Sequence, residues 1–277
     1  MKTEQRNRNL NIISAAIIAF FSAQVIHEMV HFLVGLLYDF EVLGFHLFAV
    51  NIQFGNPQDR IFEVIMVEAS ASIVNIIIAF ASIGMFYNLK GAYAKLLAML
   101  MAGFHGMMGF GYLLFDGLLY SPGAAGDWKA VLDLLNGNGV LRIAIILIGA
   151  IGYMGLFFWL GKAPLMFLTS IERMDDKARL SLGLKVLILP YVLSVLFNVP
   201  LAFWHPLGFP EGFFVVFFQY IFGYSGFVTA FFMLWVWLKP RPFMTSDEVA
   251  LGENRETLLL VLAGTAVFLQ FLLAFAN

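Results

Sequence analysis

His27 and His31 stand four residues apart with Glu28 beside the first, a His-Glu-x-x-His pattern. On a helix this spacing puts both imidazoles on one face a single turn apart, where two ring nitrogens can converge on one metal ion. Glu28 is then placed to take and return protons, the arrangement of a zinc hydrolase. The pattern lies inside an apolar run from Ile12 to Leu36. An ionisable side chain buried in a bilayer costs roughly 2.5–3.5 kcal/mol, so three within five residues call for a partner, and a divalent cation serves all of them. The chain has five histidines in all and no cysteine. Disulfides, thiolate metal sites and a cysteine nucleophile are therefore excluded, and the metal must be held by nitrogen and oxygen.

Hydrophobic residues make up 61% of the 277, charged residues 12%, and mean hydropathy is +0.86. Such values describe a polytopic protein embedded in a lipid bilayer. With a net charge of -2 and no basic cluster, nothing suggests nucleic acid as a partner. Apolar windows long enough to cross a membrane fall at 12–36, 61–86, 94–116, 140–161, 183–205, 212–238 and 256–276. An all-α fold of about seven transmembrane helices is expected. Met1 to Asn9 followed by apolar sequence imitates a signal peptide, but no small-residue cleavage site precedes the histidines, so the first span is read as retained. Counting Lys and Arg over alternate segments with a cytoplasmic N-terminus gives thirteen inside against three outside, the latter being Arg60, Lys129 and Arg142.

Around the histidines, several stretches must supply position and further ligands. Glu41 to Arg60 is too apolar for a solvated loop, and Asn51-Ile52-Gln53-Phe54 alternates as a strand does. A short interfacial β-hairpin after the first helix is expected, its edge protected by protein or pairing with another chain. The second span carries Glu68 and Asn75 among small residues, and the third carries Gly103, His105, Gly106, Gly109 and Gly111. Those glycines make a thin helix, leaving neighbours close or a polar gap open for water. After the third span come Asp116 and Asp127 among turn residues, and Asp127 is placed to cap a short helix over 128–135. The His-Glu-x-x-His sits roughly 8 to 14 Å inside the Leu36 end of its span at about 1.5 Å per residue. Two further crossings return the chain to that same face at Asp116 to Asp127, so acids arrive where the histidines are. Asp127 ranks first as third ligand, Asp116 second, and His105 or Glu68 behind them. From Val140 onward little points to chemistry: Pro190 and Pro200 predict kinks, and His205 reads as an interfacial turn residue.

His27-Glu28-Met29-Val30-His31 in a membrane helix resembles the site-2 protease family of intramembrane zinc metalloproteases. Ala69-Ser70-Ala71-Ser72-Ile73-Val74-Asn75 is similar to that family's small-residue motif ending in Asn, without its Gly-Pro. Ser121-Pro122-Gly123-Ala124-Ala125-Gly126-Asp127-Trp128 resembles its segment leading to Leu-Asp-Gly, with Gly-Asp-Trp in place of that triplet. Asp116 stands for a family Asn. The resemblance covers about the first 140 residues. It implies a metalloprotease core over 1–139, followed by a four-helix membrane region over 140–277 of no assigned role. It further implies one Zn2+ per chain on His27, His31 and Asp127, with Glu28 as proton carrier and a transmembrane protein as substrate. Asn75 and His105 are expected to position that substrate. Family sites usually lie toward the cytoplasm, whereas the charge count here puts this one toward the outer face. A prenyl-protein protease, a metal transporter and a non-catalytic scaffold are the rival readings; the first calls for a histidine or glutamate far downstream, and His205 is the only late histidine.

Overall fold

The computed structural model describes residues 2–237, 251–252 and 254–275. Lys239 and Arg241, two of the charges that the count assigns to the inside, lie outside the described residues. The chain is an all-α polytopic membrane protein; among the described residues, seven helices are long and apolar enough to span a bilayer and there is one small two-stranded sheet. The first three spans are the continuous helices α1 (Lys2–Leu37), α2 (Ile61–Asn88) and α3 (Ala92–Leu118). Between α1 and α2 come β1 (Glu41–His46) and β2 (Ala49–Gln53), and a short helix α4 (Asp127–Leu134) follows α3. The fourth span is built on α5 (Gly139–Lys162). A five-residue α6 (Ser170–Met174) leads into the fifth span, formed by α7 (Asp176–Gly183) and α8 (Leu189–Asn198). The sixth joins α9 (Glu211–Phe218) to α10 (Gly226–Phe232), and α11 (Thr257–Ala274) is the seventh.

α3 is the hub. Its spanning window is 83% buried inside the protein against 22% for α11, and small residues account for the difference. A Cβ on Gly109 would stand 2.7 Å from the carbonyl oxygen of Ser72, so α2 lies against bare backbone there. Gly103 is filled by Phe227 and Leu160, and Gly106 by Leu156 and Ala79. These three glycines therefore close helix contacts, whereas Gly111 lines a cavity. Outward side chains such as Ile77, Phe80, Ile151 and Phe268 are exposed and apolar, as a lipid-facing shell requires.

α1 and α11 run in the same direction. Near their starts Asn11 donates to the Asn254 carbonyl and accepts from the Glu256 N–H, while at the far end the Leu47 N–H donates to the Leu273 carbonyl. The hairpin is antiparallel, pairing Glu41 with Gln53 and His46 with Ala49, and is irregular between Val42 and Gly44. Its turn, Leu47-Phe48, is buried. Two apolar residues at a turn cannot face water, so the tip dips among the helices, and His46 bonds the Ala274 carbonyl at 2.8 Å. The expected hairpin is present, but its tip is anchored in the bundle.

The prolines of the fifth span act locally. Pro190 opens α8 immediately after a π-helical stretch over Leu184–Ile188, and Pro200 starts a 3-10 turn that ends the span at Trp204. A second π stretch, Gln219–Gly223, interrupts the sixth span.

Candidate metal centre

His27 and His31 project from the second half of α1 into the space between α1, α2 and α4, and both are buried. Their Nε2 atoms lie 3.3 Å apart, and Asp127 Oδ2 lies 3.0 Å from the first and 3.4 Å from the second. Ligands about 2.0–2.1 Å from a tetrahedral metal stand about 3.3–3.4 Å from one another, so the three separations fit one small cation. The acidic atom also fits: Asp127 Oδ2 is buried and accepts no N–H or O–H hydrogen bond of good geometry. Burial opposes ionisation of Asp127, but His31 and His27 beside it hold its carboxyl below the usual carboxylate range. Two nitrogens and one oxygen, with no sulfur, are a donor set that suits zinc and leaves a fourth position open.

Each imidazole is oriented from behind. His31 Nδ1–H donates to the Val67 carbonyl at 2.8 Å, which turns the Nε2 lone pair forward. Asn75 bridges His27 Nδ1 at 2.9 Å and His105 Nδ1 at 2.5 Å, and His105 Nε2 is 3.3 Å from Ser22 Oγ. A half-turn of the Asn75 amide exchanges its oxygen and nitrogen ends. With oxygen toward His27 it accepts Nδ1–H and frees Nε2 for a metal, while its NH2 donates to His105. Asn75 and His105, expected on the substrate side, both lie behind His27 and are fully buried. Tyr112 stacks on the His27 ring with centroids 4.7 Å apart.

The two aspartates divide their work differently from the capping expectation. Asp127 is the first residue of α4, and its carboxylate turns to the histidines. Asp116, from the end of α3, accepts the Trp128 N–H at 3.0 Å and so satisfies the helix start in its place. Gly126 has φ 142° and would set a Cβ 2.8 Å from Asp116 Oδ1, so only glycine lets the chain pass that close. Asp116 is thus the support of α4 and not a member of the triad. Glu68 and Glu28 line the same small cavity of about 250 Å3, with His31, Asp127 and β2 residues Ala49 to Ile52. His205 borders it too, yet its ring faces Phe48, its Nδ1 accepts the Leu207 N–H, and burial pushes its imidazole down to about 4. It is therefore a neutral wall residue.

A larger cavity of about 990 Å3 runs between α3 and α9. The two cavities share Tyr112, Ala125, Gly126, Leu207 and Val215 on their walls. Gln24 and Tyr112 join this centre without having been singled out in the sequence. Gln24 carries a usable signal, a polar side chain in an apolar run one turn before Glu28. Tyr112 lies two turns beyond His105 on the same helix face. Comparison of the chain with family models, with curated proteins and with solved structures finds no match to any of them.

Proposed function

We propose that this chain is an intramembrane zinc metalloprotease of the site-2 protease kind, hydrolysing peptide bonds of membrane-anchored protein substrates. The observation that carries the reading is the convergence of two imidazole nitrogens and one orphaned carboxylate oxygen within 3.0–3.4 Å, in a cavity that also receives Glu28. Zn2+ held by His27, His31 and Asp127 would supply a Lewis acid for the peptide carbonyl and acidify a water toward pKa about 7. Glu28 takes the proton of the attacking water and delivers it to the departing amine nitrogen as the C–N bond breaks. Val67 and Asn75 keep the two rings aimed. Asp116 keeps Asp127 aimed by holding the start of α4.

Substrate capture is assigned to the surroundings of this centre. A transmembrane helix hides its peptide bonds and must be unwound before hydrolysis. β2 lines the small cavity, and a strand there gives an extended chain backbone groups to pair with. The large apolar cavity adjoining it suits the apolar side chains of a membrane segment. The charge count supports a cytoplasmic N-terminus, with the centre toward the outer face.

Glu28→Gln tests the reaction directly. Cleavage of a single-span substrate by the purified variant in bilayers should fall to background while about one zinc per chain is retained, since Gln keeps the shape and loses the base. Retained cleavage rejects the role of Glu28.

A further inference from the structure

Glu28 does not stand alone in its cavity. Gln24, one turn earlier on α1, donates from Nε2 to Glu28 Oε1 at 3.0 Å. The oxygen of the same amide accepts from Gln219 Nε2 at 3.0 Å and from the Tyr220 hydroxyl at 3.1 Å. Gln24 and Tyr220 are 1% and 0% exposed, so neither finds water as a substitute. A glutamine amide presents a donor end and an acceptor end. Two donors on Oε1 fix which end is which, leaving the NH2 with Glu28.

Both donors come from the sixth span. They are the first two residues of its π-helical stretch, Gln219–Gly223. Successive residues of an α-helix diverge by about 100° around the axis, yet here both reach one oxygen atom. A π turn in the middle of a span is a local rearrangement often found at functional sites, and here it aims two polar groups at α1.

We infer that Gln24 is a positioning residue for Glu28, locked by Gln219 and Tyr220, and that the sixth span thereby takes part in aligning the proton carrier. The inference rests on the reading of Glu28 as that carrier. One carboxylate oxygen is tied to Gln24 and the other is left to meet the reacting water. Without the tie the carboxyl is free to rotate out of line, which costs turnover and spares metal binding. Gln219 also lines the large cavity, so the far end of this chain of hydrogen bonds is in contact with the space assigned to the substrate.

The test uses the full-length, zinc-loaded protein in bilayers, with Gln24→Met and the double variant Gln219→Met/Tyr220→Phe. For each, kcat should drop about 10- to 100-fold with zinc content unchanged, and for Gln24→Met, at a position that does not line the large cavity, KM should stay within about twofold. The double variant matters most, because both of its residues hydrogen-bond Gln24 and act on Glu28 through it. Acetohydroxamate, which binds zinc and passes its proton to a neighbouring carboxylate, gives a readout without turnover. Gln24→Met should weaken its binding about tenfold or more in the wild-type background and leave it unchanged in Glu28→Gln. No acetohydroxamate binding by wild type, an equal loss in both backgrounds, or full kcat in the double variant overturns the proposal. Cleavage retained by Glu28→Gln would instead remove the proteolytic role of Glu28, and the acetohydroxamate comparison would still decide whether Gln24 holds it.

Discussion

At the scale of single residues, the centre is a set of groups each held by one partner behind it. Val67 holds His31, Asn75 holds His27, and Asp116 holds the helix that carries Asp127. Such supporting partners typically contribute 10- to 100-fold to metal affinity. Asn75→Leu should therefore weaken zinc binding by about that factor in a chelator competition, and Asn75→Asp, which keeps an acceptor for His27 Nδ1–H, should restore most of it. Equal affinity in Asn75→Leu and wild type would remove Asn75 from the centre. The ligand pair was legible because a spacing of four on a helix has one geometric meaning. The roles of the two aspartates were less so. Capping depends on which carboxylate arrives first at the Trp128 N–H, and that is decided by how the end of α3 approaches α4.

Between elements, the constraint closest to the centre is the contact of α2 with α3. It carries Asn75 and His105 to each other, and it depends on Gly109, where a side chain would run into the Ser72 carbonyl. Gly109→Ala should lower stability by about 1–3 kcal/mol, as overpacking does, and weaken zinc binding as well because Asn75 lies three residues beyond Ser72. The control is Gly155→Ala, where nothing lies within 4 Å of the added carbon. Thermal unfolding that does not distinguish the two would contradict this account of the contact. Glycine-rich sequence in α3 announced a thin helix but not what fills it: Phe227, Leu156 and Ile76 come from different spans. The hairpin shows the same limit. Alternation in Asn51 to Phe54 announced a strand, whereas the direction of its tip follows from Leu47 meeting the end of α11.

For the whole molecule, seven spans and a hairpin were readable from hydropathy because each lipid-facing helix must be apolar along its length. The π stretches in the later spans, over Leu184–Ile188, Gln219–Gly223 and Met233–Trp237, were not readable, since they answer to packing and hydrogen bonding between helices and leave composition unchanged. Those spans nevertheless reach the centre, through Gln219 and Tyr220 on Gln24. The chain contains no cysteine, so single replacements report cleanly. In intact cells an impermeant maleimide should label Ser121→Cys and spare Asn88→Cys, as an outward-facing centre requires, and the opposite pattern would invert the orientation. The proposed function requires one metal ion shared by α1 and the start of α4. X-ray absorption on the purified zinc-loaded protein should show one zinc per chain with two imidazoles and a carboxylate about 2.0–2.1 Å away, and loss of the oxygen ligand in Asp127→Ala. Protein that retains no stoichiometric zinc, or an identical spectrum in Asp127→Ala, would contradict it.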